Sequence, residues 1–150
     1  MTQTINISYE HYTLNTLPTA DSELVKAAFE ATTQAYAPFS GFKVGAAARL
    51  RSGEIITAAN CESEVFPSGL CAERSLLYHY ASNYADNPIE AMAIASNPSE
   101  RECYPCGACR QVILDAENRQ QSPIRIVMAG GGTATIVSSA KDLLPFTFKL

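Results

Sequence analysis

The sequence predicts an α/β protein of three layers, with a mixed five-stranded sheet between helices on both faces. Segments with apolar residues at helical spacing alternate with short apolar runs, in the order helix, two strands, helix, strand, helix, two strands. Short turns at 51–54 and 130–132 join two of the strand pairs as hairpins. The 150 residues, 47% hydrophobic and 17% charged, suit a single globular domain spanning 1–150.

The first half of the chain contains the first helix and the first hairpin. Residues 1–19 form a lead-in segment, in which Ile5, Ile7 and Tyr9 alternate as in a short edge strand. Helical spacing then predicts a helix from residue 19 to about 36, which Pro38 ends. Apolar runs at 44–50 and 55–59 predict a hairpin that turns at Gly53.

The second half alternates helices with buried strands. A polar loop at 60–70 leads to a predicted helix at 71–81, a strand at 90–96 and a helix at 106–117. Strands at 124–129 and 133–137 follow, and then a short helical turn at 141–144. Two of the predicted helices begin at a cysteine directly after a loop.

Charge and hydropathy exclude several classes of partner. Eleven basic and fifteen acidic residues give a net charge of −4, and the basic residues are scattered. Nucleic-acid binding needs clustered cations, so a small substrate is expected instead. No apolar run approaches the length of a membrane span, and the N-terminus resembles no secretion signal, so we expect no membrane partner and a cytoplasmic location.

The five cysteines point to a metal or catalytic site. They stand at 61, 71, 103, 106 and 109, an odd number with three crowded into seven residues. A secreted disulfide framework favours even numbers and spread positions. In a reducing compartment a close cluster is more typical of metal binding or catalysis.

Cys71, Cys106 and Cys109 fit a catalytic zinc site. Cys106 and Cys109 share a helix face, and Cys71 begins the other helix, so all three meet positive helix ends that favour thiolates. Three thiolates fill three tetrahedral positions of Zn²⁺ and leave the fourth for water. Arg74 and Arg110 directly follow these segments, and we expect both to donate hydrogen bonds to the thiolates.

Glu73 is the candidate proton shuttle. It lies two residues after Cys71, too close to bind the same metal comfortably but suited to exchange protons with bound water. Two alternatives stay open at this point. Cys106 and Cys109 alone resemble a thioredoxin-type redox pair, and Cys61 or Cys103 is a possible fourth ligand of a structural zinc.

A metal ligand followed by x-Glu, and later Pro-Cys-x-x-Cys, is the pattern of zinc nucleobase deaminases. The resemblance is closest to the short, homotetrameric cytidine deaminases of the cytidine and deoxycytidylate deaminase superfamily. It extends from about residue 20 to the C-terminus. The segments that carry it are 35–40, 42–46, 60–62, 67–74, 105–111 and 143–145.

The resemblance implies zinc-dependent hydrolytic deamination of cytidine or deoxycytidine to uridine or deoxyuridine plus ammonia, by one zinc per chain in a cytidine-deaminase-like fold. Cys71, Cys106 and Cys109 would bind the zinc, and Glu73 would move the protons. Asn60 and Glu62 would hold the ribose hydroxyls, Phe42 would pack near sugar and base, and the Ala72 backbone would orient the base. Phe148 would stack on the base in a neighbouring subunit of a homotetramer with shared active sites.

Several positions depart from the family pattern and bear on the substrate. Ser63, Glu64 and Phe66 stand where the family usually has Asn, a small residue and Tyr, and Cys103 and Tyr104 replace small polar residues. A deaminase of another small aminated base, or of a nucleoside antibiotic such as blasticidin S, therefore stays an alternative. So do a nucleic-acid deaminase, which the acidic balance disfavours, and a non-catalytic zinc-stabilised binding protein.

Overall fold

The computed structural model describes all 150 residues. Six strands form one mixed sheet in the order β1-β6-β5-β4-β2-β3. Strands β4 and β5 pair in parallel, and every other neighbouring pair is antiparallel. The strands are β1 (Glu10–Thr13), β2 (Lys43–Leu50), β3 (Ile55–Ala59), β4 (Ile89–Asn97), β5 (Arg125–Gly130) and β6 (Thr133–Val137).

Helices cover both faces of the sheet, which confirms the predicted three-layer architecture. Helix α1 (Thr19–Ala31) buries Leu24 and Ala28 against one face. Helices α2 (Ala72–Asn83) and α3 (Gly107–Gln120) pack on the other, where the larger apolar cluster lies. Short 3₁₀ turns follow α1 and β6. None of the helices has the length and apolar character needed to span a bilayer.

The prediction of five strands is wrong by one, because β1 adds a sixth at the sheet edge. It pairs with β6 and lies after the alternating residues Ile5, Ile7 and Tyr9, which are exposed and outside any strand. Arg125 fixes this edge: its guanidinium donates to Glu10 at 2.7 Å and to Asp21 on α1 at 2.9 Å. The strand is held by partners distant in sequence rather than by an apolar pattern of its own.

Glycine at one position allows α1 to approach the sheet. A Cβ on Gly45 in β2 would collide with the carbonyl oxygen of Ala28. The helix ends at Ala31 rather than near residue 36, and a 3₁₀ turn begins at Thr32. The hydroxyl of Thr32 donates to the Phe29 carbonyl at 2.7 Å. The chain therefore turns early enough to enter β2.

The topology brings the first residues of α2 and α3 to the same edge of the sheet. Strands β3 and β4 are both antiparallel to β2, so their carboxyl ends point in the same direction. The loop after β3 leads into α2, and the loop after β4 leads into α3. Side chains at the two helix N-termini can therefore converge on one site.

Candidate active site

The three cysteines predicted to bind metal meet at the N-termini of two helices. Cys71 immediately precedes α2, Cys106 immediately precedes α3, and Cys109 lies in the first turn of α3. The Sγ atoms of Cys71 and Cys106 are 3.9 Å apart, those of Cys106 and Cys109 are 3.4 Å apart, and all three lie within 4.8 Å of one another.

This spacing fits a zinc ion. Zn–S bonds of about 2.3 Å in tetrahedral geometry place sulfur atoms about 3.8 Å apart. The sulfur separations bracket that value, and the donor set is the soft thiolate set that zinc prefers. Neither Cys61 nor Cys103 belongs to the group, so a structural site of four cysteines is not formed. Three protein ligands leave one coordination position for water or substrate.

Hydrogen bonding within the cluster favours the thiolate of Cys71. Interaction with the nearby thiol of Cys109 and with the guanidinium of Arg74 lowers the pKa of Cys71 to about 5. The same interaction raises the pKa of Cys109, and burial adds to that increase. Two helix N-termini contribute further positive potential at the cluster.

The two arginines expected beside the thiolates behave differently. Arg74 Nη2 donates to Cys71 Sγ at 3.6 Å, and the pKa of Arg74 is raised by this contact. Arg110 makes no such bond, and the prediction that it donates to a thiolate is wrong. Its guanidinium instead donates to the carbonyls of Pro105 at 2.9 Å and Leu143 at 3.1 Å. Arg110 therefore fixes the chain before Cys106.

Glu73 lies in the wall of a cavity of about 500 Å³ that also opens on Cys71 and Cys106. The residue is only 4% exposed, and burial raises its pKa to about 6. A buried carboxyl group that borders both the cavity and the thiols is suited to accept and return protons. The cavity is large enough for a nucleoside-sized ligand.

Asn60 and Glu62 also line the cavity, and both organise the loops around it. Asn60 accepts from the Val44 backbone N–H at 2.8 Å and donates to the Phe42 carbonyl at 3.0 Å. Glu62 Oε1 accepts from the N–H groups of Phe39 and Ser40, both at 3.1 Å. The backbone N–H of Ser40 is the main cause that lowers the pKa of Glu62, which keeps this carboxylate charged.

The remaining predicted contacts divide into those at the cavity and those away from it. Phe42 lines the cavity, whereas Ala72 is buried and does not. Phe148 is 74% exposed and lies outside the cavity of its own chain. Ser63 and Phe66 line the cavity, but Glu64 is exposed and does not.

Sequence reasoning assigned Tyr104 no role, and it considered Cys103 only as a possible fourth ligand of a structural zinc. Cys103 and Tyr104 both line the cavity, and the Tyr104 hydroxyl donates to Glu102 at 2.8 Å. The departure of positions 103 and 104 from the family pattern was the available signal. Nothing in the sequence pattern indicated Glu102.

Similarity to known proteins agrees with this geometry. The family described as "Cytidine and deoxycytidylate deaminase zinc-binding region" matches residues 18–122. A cytidine deaminase of Halalkalibacterium halodurans is 39% identical over 93 residues, covering 61% of this chain and 68% of that protein. The crystal structure of a cytidine deaminase from Burkholderia pseudomallei has a TM-score of 0.73 and 35% identity, covering 84% of this chain and 97% of its own. A blasticidin-S deaminase of Bacillus cereus is 28% identical and covers 85% of this chain and 91% of that protein. The chain belongs to the cytidine and deoxycytidylate deaminase family.

Proposed function

We propose that the protein hydrolyses free cytidine or deoxycytidine to uridine or deoxyuridine and ammonia, with one zinc ion held by Cys71, Cys106 and Cys109. The observation that carries this proposal is the buried carboxyl of Glu73 in a cavity that also opens on the cysteine cluster. Zinc supplies, when bound, the Lewis acidity that makes water a nucleophile near neutral pH.

Glu73 moves the protons that the reaction requires. Replacement of the exocyclic amine at C4 consumes one water and releases ammonia. The Glu73 carboxylate takes a proton from the attacking water and delivers it to N3 of the pyrimidine. It then carries the second proton to the departing amine, and it ends in its starting form.

Asn60, Glu62 and Phe42 bind the nucleoside. Oε1 of Glu62 accepts from two backbone N–H groups. The other oxygen, Oε2, is left to accept from a sugar hydroxyl of the substrate. Asn60 retains one amide hydrogen for the same purpose beyond its bond to the Phe42 carbonyl. The Phe42 ring packs on sugar and base, and the Ala72 backbone orients the base at the start of α2.

The assembly we propose is a homotetramer with shared sites. Phe148 is exposed at the C-terminal segment and outside its own cavity, so it stacks on a base only by reaching a neighbouring subunit. The chain acts as one catalytic domain, 1–150, with residues 1–19 as an N-terminal addition. We place the protein in the cytoplasm.

Loss of ultraviolet absorbance as cytidine is deaminated tests the reaction. Zinc-loaded wild type is compared with Glu73→Ala and with Glu54→Ala, an exposed carboxylate in the β2–β3 turn. Turnover in wild type and Glu54→Ala, absent in Glu73→Ala, supports the proposal. One tightly bound zinc per chain with no turnover of any nucleoside, and no effect of Glu73→Ala, would instead identify a non-catalytic binding protein.

A different aminated substrate is the second candidate. Ser63 and Phe66 line the cavity and differ from the family pattern, and one relative is named a blasticidin-S deaminase. Kinetic comparison of cytidine, deoxycytidine, blasticidin S and aminated purines separates these substrates by kcat/KM. Equal or better turnover of a substrate other than cytidine and deoxycytidine would overturn the first choice.

A further inference from the structure

The loop between β4 and α3 contains a buried carboxylate that the proposed reaction does not use. The Glu102 side chain is only 7% exposed. Its main chain forms a bridge with Gly130, and the next backbone N–H, of Cys103, donates to the Ala129 carbonyl at 3.1 Å. A Cβ on Gly130 would collide with the Arg101 carbonyl, so this loop is seated directly on the end of β5.

Three side chains from different parts of the chain converge on the Glu102 carboxylate. The Tyr104 hydroxyl donates to Oε2 at 2.8 Å, and the Thr133 hydroxyl donates to Oε1 at 2.6 Å. His11 on β1 places Nδ1 3.5 Å from Oε1. Burial raises the pKa of Glu102, but hydrogen bonds led by that of Thr133 outweigh it and leave the pKa below its usual value. The group is therefore an ionised anchor held from several sides.

Tyr104 connects this anchor to the candidate active site. It lines the cavity together with Cys106, two residues further along the chain. Its hydroxyl carries a single proton, which is donated to Glu102, so it has none to donate to a ligand. What Tyr104 offers the cavity is its aromatic ring, in the orientation that Glu102 holds.

We propose that Glu102 is a positioning residue that holds the Tyr104 ring in the wall of the candidate active site, where the ring selects the substrate by contact with a flat heteroaromatic base. This inference rests on the proposed nucleoside deamination. No hydrogen bond joins Glu102 or Tyr104 to Glu73 or to the cysteine cluster, so we expect the effect on substrate binding rather than on the chemical step.

A double-mutant cycle on Glu102 and Tyr104 tests this positioning role. Glu102→Gln, Tyr104→Phe and the double variant are compared for KM and kcat with cytidine, for the dissociation constant of the product uridine, and for zinc content. Tyr12→Phe is a matched control, because Tyr12 donates to Glu10, also two residues earlier and also at 2.8 Å, on β1. Tyr12 does not line the cavity.

We expect each single variant to raise KM and the uridine dissociation constant by roughly three- to tenfold, which corresponds to the net contribution of one ordinary hydrogen bond. The expected kcat stays within about twofold, zinc content is unchanged, and the double variant is no worse than Tyr104→Phe. Tyr12→Phe is expected to match wild type.

Four results would overturn the inference. Effects of Glu102→Gln and Tyr104→Phe that multiply in the double variant would show that the two residues act separately. A Tyr104→Phe variant with unchanged KM would show that the hydrogen bond to Glu102 does not position the ring. Zinc loss in Glu102→Gln would show that Glu102 acts through Cys106. Wild type that neither deaminates cytidine nor binds uridine would overturn the proposed function and this inference together, whereas the first three results leave that function intact.

Discussion

Phe148 provides the sharpest test of whether active sites are shared between subunits. The residue is 74% exposed in the single chain. Complete burial of a phenylalanine side chain stabilises by about 1.5–3 kcal/mol. Three quarters of that value, about 1–2 kcal/mol, corresponds to a loss of roughly tenfold in kcat/KM when Phe148→Ala removes the ring.

Mixing of two variant subunits tests whether Phe148 completes the site of a neighbouring chain. Glu73→Ala chains lack the proton shuttle but carry Phe148, and Phe148→Ala chains carry the reverse combination. With random association of equal amounts, about a quarter of all sites regain both groups if the ring comes from a neighbour. Co-expressed chains should then have about a quarter of the wild-type activity, whereas separately purified chains assayed together before exchange should have about a twentieth.

The assay is the initial rate of cytidine deamination per active chain, with the oligomeric state measured by sedimentation. Phe146→Ala serves as the control for loss of an exposed ring from the same segment. Without sharing, only the Phe148→Ala chains contribute, so the mixture has half the activity of Phe148→Ala alone. A mixed oligomer that does not exceed this activity would refute sharing of sites. Sedimentation as a clean monomer would refute it independently.

Three further predictions concern stability. Glu117 is buried and accepts from the backbone N–H groups of Ile124 at 2.9 Å and Ala140 at 2.8 Å. Glu117→Ala should therefore lower the free energy of unfolding in urea by about 3–5 kcal/mol. Glu117→Gln should lower it by only about 1–2 kcal/mol, because one amide oxygen retains both bonds. Equal losses in the two variants would contradict this reasoning. Removal of zinc by a chelator should lower the melting temperature, since the metal binds the folded cluster, and an unchanged temperature would contradict a structural contribution of the metal. The pKa of Glu102 is lowered in the folded protein, so its contribution to stability is complete above the ordinary value of 4.5 and is lost as pH falls below it. The difference in the free energy of unfolding between wild type and Glu102→Gln should shrink in that range, and a difference that grows would contradict the sign.

Local sequence signals predicted most of the fold. Both hairpins and the starts of α2 and α3 lie within a residue or two of their predicted positions. These elements depend on apolar periodicity, on turn residues and on loops that end directly before a helix. All of these signals lie in residues that are close together in the sequence. The cysteine spacing likewise predicted a cluster that the structure brings together.

Partners distant in sequence account for what was not predicted. Strand β1 has only one partly buried residue, and its contact between Glu10 and Arg125 joins positions 115 residues apart. Glu102 accepts from Thr133, which is 31 residues away, and Arg110 donates to the carbonyl of Leu143, which is 33 residues away. No local pattern specifies such pairs, because neither partner is distinguished by the residues beside it in the sequence.

In the proposed reaction, the chemical step and substrate selection depend on different parts of the structure. The cysteines and Glu73 lie at the first turns of α2 and α3, whose apolar faces pack in the main core, so their geometry is fixed by the fold. Much of the remaining cavity wall comes from loops, which the hydrogen bonds of Asn60, Glu62 and Glu102 organise. Substitutions in these loops can therefore change the preferred base or sugar without moving the metal ligands. Because the departures from the family pattern at Ser63, Phe66 and Tyr104 all fall on these loops, we expect them to affect KM and substrate choice rather than the type of reaction.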